Sequence, residues 1–114
     1  MSPAFPHLSS PFTLGDLTVR NRNVMSSLTR NRSVPTTVPN EYNFEYYTQR
    51  ANGGVGLILT EGTLIEHQGT EWPNAPGIWN DEQVAAWRKI TTSVHEAGSL
   101  IFCQVSVRHA RARN

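Results

Sequence analysis

Apolar and polar positions alternate along Phe12-Thr13-Leu14-Gly15-Asp16-Leu17-Thr18-Val19. Alternation places successive side chains on opposite faces of a strand, and the central Gly-Asp suits a type II′ hairpin turn with glycine first. Residues 1–11, rich in Pro and Ser, read as an irregular leader. Beyond the polar Asn21-Arg22-Asn23, Val24-Met25-Ser26-Ser27-Leu28 is a short strand candidate. Residues 29–39 hold two prolines among Thr, Ser and Asn and read as a loop.

The period then changes. Asn40 is a good N-cap, and Glu41 in the first turn favours the helix dipole. Phe44, Tyr47 and Ala51 recur at three and four and mark one buried face. Asn52-Gly53-Gly54 ends the helix, because glycine tolerates the left-handed cap. Val55-Gly56-Leu57-Ile58-Leu59-Thr60 is continuously apolar up to Thr60, which suits a strand buried on both faces of a parallel sheet. Residues 62–79, with Gly69, Pro73, Pro76 and Gly77, read as a long loop. Asn80 and Gln83 stand at capping-box spacing. In the helix that follows, Val84, Trp87, Thr91 and Val94 form the expected face, with Gly98 as C-cap, before a second buried-strand run, Leu100-Ile101-Phe102-Cys103.

The predicted order is hairpin, β, α, β, α, β. Strands alternating with helices point to an α/β fold with a parallel sheet and right-handed crossovers. The strand centres fall near Met25, Ile58 and Ile101, 33 and 43 residues apart. A closed (β/α)₈ barrel takes eight such units and about 250 residues, so three strands amount to a partial TIM barrel with open edges.

Composition narrows the classes. The chain has 114 residues, 38% of them hydrophobic, and 8 Gly, close to the roughly 45% of a soluble globular chain, which excludes disorder throughout. One cysteine excludes an internal disulfide framework and a Cys-rich zinc site. No run reaches the roughly 18 apolar residues of a membrane span. The opening MSPAFPHLSSPF lacks the basic and apolar regions of a secretory signal, so a reducing, cytoplasmic setting is expected. The net charge is +1, with ten Lys+Arg against nine Asp+Glu. Arg108, Arg111 and Arg113 lie in residues 105–114; setting them aside leaves seven basic against nine acidic residues, a body of −2 with a basic tail. Three arginines without interleaved aromatics make a solvated tail rather than a nucleic-acid or membrane contact.

Several residues carry ordinary structural readings. Cys103 is expected to be an inert core thiol. The four histidines show no metal-ligand spacing. Gly53-Gly54-Val55-Gly56 runs from helix end to strand start, the reverse of a phosphate loop. Trp72, Trp79 and Trp87 read as packing residues, Trp87 on its helix face and the other two with the alternative of lining a barrel mouth. Glu61 and Glu66 have no defined geometry for paired acid–base work.

Taken in order, the motifs carry a resemblance. Val24-Met25-Ser26-Ser27-Leu28-Thr29-Arg30-Asn31-Arg32, Pro39-Asn40-Glu41, Glu45-Tyr46-Tyr47-Thr48-Gln49-Arg50-Ala51 and Gly56-Leu57-Ile58-Leu59-Thr60-Glu61-Gly62-Thr63 resemble successive signatures of the old yellow enzyme family. So do Gln68-Gly69, Pro73-Asn74-Ala75-Pro76-Gly77-Ile78, Asp81-Glu82-Gln83-Val84-Ala85-Ala86-Trp87 and Ile101-Phe102-Cys103-Gln104. The resemblance covers residues 12–104 and implies the N-terminal part of an FMN-binding (β/α)₈ barrel. It implies FMN as cofactor, NAD(P)H as reductant and α,β-unsaturated carbonyls (enones) as substrates, reduced at their activated C=C bond. It also implies flavin contacts from Thr29 near the ring's O4 and N5, from Gly62 at the pyrimidine edge and from the Gln104 amide, with the Ser27 and Leu28 backbone facing the ring. It assigns no substrate-binding pair, proton donor or FMN-phosphate anchor to this chain.

After Gln104 the family pattern gives way to Val105-Ser106-Val107-Arg108. Val-Ser can be encoded by GTGAGT or GTAAGT, both typical intron-donor sequences, so residues 105–114 are expected to be a divergent tail of translated intron. The alternative function is then a non-catalytic truncated product whose open sheet edges favour self-association.

Overall fold

Two capping boxes set the positions of the long helices. In the computed structural model, which describes residues 4–67 and 72–107, Asn40 Oδ1 accepts from Tyr42 N at 2.9 Å and Asn40 N donates to Asn43 Oδ1 at 2.9 Å. Helix α2 runs from there through Glu41–Asn52. The foreseen Asn80–Gln83 pair opens helix α3, Asp81–Glu96, with Gln83 N donating to Asn80 Oδ1 at 2.8 Å. Gly54 and Gly98 follow the two helix ends at φ +101° and +91°, the left-handed region where a side chain is strained.

The residues expected to be an irregular leader include a four-residue helix α1, Pro6–Ser9. Strands β1 (Phe12–Leu14) and β2 (Leu17–Val19) form the foreseen hairpin, paired Phe12 to Val19 and Leu14 to Leu17. Gly15 sits at φ +58°, as the first central residue of a type II′ turn requires. Strands β3 (Val24–Met25), β4 (Leu57–Leu59) and β6 (Leu100–Phe102) form a parallel sheet in the order β3-β4-β6. Met25 stands opposite Ile58, and Ile58 opposite Ile101, the three expected strand centres. The described residues form no closed barrel.

Helices α2 and α3 cover one face of this sheet. Tyr46, Tyr47, Ala51, Ile58, Trp87, Ile90 and Val94 make the core, with Met25, Val55 and Ile101 packed against it. The Tyr47 and Trp87 rings lie 5.9 Å apart, within the range of a favourable aromatic pair.

Several expectations are corrected. The buried face of α2 is Asn43, Tyr46, Tyr47 and Ala51, while Phe44 is exposed. That of α3 is Gln83, Trp87, Ile90 and Val94, with Val84 exposed and Thr91 half-buried. In both helices a polar cap-box residue turns inward because hydrogen bonds satisfy it: Gln83 Oε1 accepts from Trp79 N at 2.8 Å and its Nε2 donates to Thr37 Oγ1 at 3.1 Å. The run Leu100–Cys103 is not buried on both faces. Unlike central β4, β6 has a described neighbour on one side only, and Phe102 and Cys103 are exposed, so Cys103 is no core thiol. Among the tryptophans, Trp87 is buried but Trp72 is exposed. The segment 62–79 is not wholly loop. Strand β5, Thr63–Leu64, pairs in parallel with β7, Val105–Ser106, and Leu64 also bridges Gly77. Gln68, Gly69 and the tail arginines lie outside the described residues.

At the N-terminal end of the sheet, Arg20 joins the elements. Its guanidinium donates to Ala51 O (2.7 Å), Ala97 O (2.8 Å), Val55 O (3.1 Å) and Ser99 Oγ (2.8 Å). One side chain thereby ties the ends of both helices to the segments that lead into β4 and β6. Ala51 O also accepts from Gly54 N at 3.0 Å and Val55 O from Ser99 Oγ at 2.5 Å, so Arg20 adds a second, charge-assisted donor there and supplies the donor to Ala97 O at the end of α3.

Candidate functional site

The opposite end of the sheet collects the polar residues. Where a parallel strand ends, its backbone groups are no longer held by the ladder and side chains can point into the open mouth. Ser27, two residues past β3, places its hydroxyl between Thr60 O, at 2.6 Å, and Gln104 Oε1, as a donor that can serve either acceptor. Gln104 N donates to Thr60 Oγ1 at 3.0 Å, and Gln104 O accepts from Thr63 N at 2.8 Å. The ends of all three strands are thus laced through Thr60. The Gln104 side chain is exposed, with its oxygen engaged by Ser27. Leu28 and Thr29 are exposed on the segment leaving β3.

Gly62 lies in the turn between β4 and β5. A Cβ added there would meet Ser106 Cβ at 3.5 Å, an ordinary contact, so its space is open except toward β7. Of the five residues singled out in the sequence, Ser27 and Gln104 touch directly, Gly62 approaches β7, and Leu28 and Thr29 flank the same strand end.

A buried cluster that the sequence did not reveal lies beneath. Glu61 is 1% exposed. Its Oε2 accepts from the Tyr47 hydroxyl at 2.9 Å and from Asn43 Nδ2 at 3.2 Å. The Tyr47 oxygen in turn accepts from Glu61 N at 2.8 Å. Glu61 Oε1 is buried and has no hydrogen-bond partner among the described residues. Burial pushes the Glu61 carboxyl up from its ordinary 4.5, while the hydrogen bonds from Tyr47 and Asn43 and the nearby Arg30 pull the other way without cancelling the shift. Burial first, and the Glu61 charge second, push the Tyr47 phenol up as well, so it stays protonated and donates. Glu66 is exposed, so the two carboxylates form no pair. The only sequence hint of this cluster was a polar Thr-Glu directly after an apolar strand run.

Among the described residues no three His, Cys, Asp or Glu side chains come together as a metal site, and no helix is long and apolar enough to cross a membrane.

Known proteins resemble this chain in sequence and fold. A 12-oxophytodienoate reductase-like protein of Solanum lycopersicum is 46% identical over 98 residues, which cover 86% of this chain and 27% of that protein. The solved old yellow enzyme homologue of Zymomonas mobilis superposes with a TM-score of 0.80 at 50% identity, covering 88% of this chain and 28% of that one. The old yellow enzyme of Trypanosoma cruzi gives 0.83 at 40% identity, over 90% and 27%. This chain spans just over a quarter of the length of these relatives. Strand β7 lies just past Gln104, at Val105–Ser106. Residues 7–113 match the model of one family, and the chain therefore belongs to the NADH:flavin oxidoreductase / NADH oxidase family.

Proposed function

We propose that this chain is the N-terminal portion of an FMN-dependent oxidoreductase that uses NAD(P)H to reduce the activated C=C bond of α,β-unsaturated carbonyls. In this reading β3, β4 and β6 are three neighbouring strands of a (β/α)₈ barrel whose C-terminal ends face the cofactor. The observation that carries it is the convergence of Ser27, Thr60 and Gln104 at one end of three parallel strands, beside Leu28, Thr29 and Gly62.

These residues fit the edge of a flavin ring. Gln104 offers an exposed amide that both donates and accepts, and the Ser27 hydroxyl fixes which way that amide points. Gly62 leaves space where a side chain would stand between backbone and ring. Thr29 adds an exposed hydroxyl, a donor that favours an electron-rich ring. When bound, FMN supplies the two-electron carrier between nicotinamide and alkene. Residues of this chain orient the ring edge and tune its electron affinity. The FMN phosphate, the substrate carbonyl and the proton donor are assigned to none of them.

An equilibrium fluorescence titration of FMN with the chain tests this reading. Quenching that weakens about tenfold in Gln104→Leu is expected, together with no NADPH-driven bleaching by the chain on its own. Quenching that is absent, or indifferent to Gln104→Leu, overturns the ring-edge assignment.

A second reading, a non-catalytic chain that associates with itself or another chain, has its own observation. β6 is the last strand of its sheet, and Phe102, Val105, Val107, Val24 and Leu28 are exposed large apolar residues at or near the sheet. An apparent mass above 12.7 kDa in gel filtration, reduced by Phe102→Lys, supports it; a monomer overturns it.

A further inference from the structure

Outside the strand-end site, the loop after β3 and helix α2 enclose a recess of about 380 Å³. Arg30, Arg32 and Arg50 line it. Two of these guanidiniums lie over the same aromatic ring: Arg30 Cζ is 4.4 Å and Arg50 Cζ 4.3 Å from the Tyr46 ring centroid. Tyr46 is itself 8% exposed and anchored in the core, so it holds both cations in place. Each guanidinium keeps a planar fork of N–H donors, the chemistry that suits bidentate recognition of phosphate. Arg50 donates to Tyr46 O at 3.4 Å and to Gln49 Oε1 at 3.1 Å. The Arg30 and Arg32 guanidiniums donate to no acceptor among the described residues, although the Arg30 main chain and charge act on the buried Glu61. Glu45 is the one carboxylate in the wall, and it accepts from Gln49 Nε2 at 3.1 Å. Two cations held over Tyr46 and a third, Arg32, against Glu45 leave the wall of the recess positive, at a cost in mutual repulsion that a bound anion would relieve. Tyr42, 66% exposed, adds an open aromatic face at the rim.

We infer that this recess binds the phosphate group of a small phosphorylated molecule, with Arg30, Arg32 and Arg50 as its ligands. Such a phosphate could be free or carried on a nucleotide, whose base would stack on Tyr42. The site stands on α2 and the loop after β3, so it holds whether or not the strand ends bind flavin.

Calorimetric titration of the 114-residue chain with pyrophosphate, ADP and adenosine at constant ionic strength tests it. Saturable pyrophosphate binding with a Kd below about 1 mM is expected, weakened about tenfold or more in Arg30→Gln/Arg32→Gln and in Arg50→Gln. The charge-matched control Arg88→Gln/Lys89→Gln, on α3, leaves the affinity unchanged. ADP binding tighter than pyrophosphate, with the gain lost in Tyr42→Ala, identifies a nucleotide as the source; equal affinities identify phosphate alone. Equal weakening by the control pair would mean net-charge attraction only and overturns the site. Binding that fails to saturate by about 10 mM overturns it as well. Circular dichroism of each variant, matched to the parent, separates loss of the site from loss of the fold, and Arg50→Lys, which keeps the charge but not the planar fork, falls between parent and Arg50→Gln.

Discussion

The two ends of the parallel sheet solve the same problem in opposite ways. At the N-terminal end, Arg20 satisfies the oxygens of Ala51, Val55, Ala97 and Ser99 with one guanidinium. At the C-terminal end, a buried carboxyl keeps one oxygen without a hydrogen-bond partner among the described residues, and Gln104 holds an amide out to solvent. One end spends its polar groups on holding elements together, and the other keeps some in reserve. Parallel α/β folds place ligands at the strand C-termini because there the groups freed from the ladder are available. The Arg20 end is thereby built for stability, and the proposed function places binding at the Glu61–Gln104 end.

The hardest blow to this division is Arg20→Leu. It removes charge-assisted hydrogen bonds to both helix ends and leaves Ala97 O without its donor, at an expected cost of about 3 kcal/mol in urea denaturation. A loss below about 0.5 kcal/mol would show that water replaces the clamp and that the two ends do not differ in this way.

Tyr47→Phe probes the other end from beneath. It deprives Glu61 N of its acceptor and Glu61 Oε2 of a donor, so a stability loss of about 2 kcal/mol is expected by thermal melting. An unchanged melt would mean that the cluster contributes nothing to holding β4 against α2.

Glu61→Gln sharpens the comparison through pH. The carboxyl is raised in the folded chain, chiefly by burial, so folding favours its protonated form. That contribution is fully present below the ordinary 4.5 and is lost as pH rises through the raised value. The parent chain is expected to lose stability from this group between acid and neutral pH, and Glu61→Gln to show a flatter profile, read as urea midpoints across that range. A profile with the same slope in both proteins would place the titration elsewhere.

The smallest stability effect is expected from Gln104→Leu. The side chain is exposed, so the change stays within about 0.5 kcal/mol while FMN quenching falls. A large loss of stability with quenching intact would invert the assignment and make Gln104 a fold residue.

How much of this was legible depends on range. The hairpin, both capping boxes and the three strand centres rest on residues at most a few positions apart, and they were readable from period and cap chemistry. Phe44 and Val84 were assigned to buried faces on apolarity, yet Asn43 and Gln83 lie inside, because their hydrogen-bond partners satisfy them there. Cys103 read as core from its apolar neighbours, but burial of a strand residue also needs strands and layers on both sides. β5 and β7 were missed because two-residue strands carry no period and their pairing joins positions about forty residues apart.

Ser27, Leu28, Thr29, Gly62 and Gln104 were found through the ordered set of motifs that marks the family, and the family is what the sequence by itself determined most firmly, along with the β-α-β-α-β order. Only the tertiary structure decided that Ser27 and Gln104 meet across Thr60, that Arg20 joins both helix ends, that three arginines line one recess with Tyr46 and Tyr42, and that Glu61 is buried. Helix and strand follow from side-chain period and backbone hydrogen bonding, which act between near neighbours. The environment of a polar side chain follows from which distant segments pack against it, and that is settled only when the sheet is assembled.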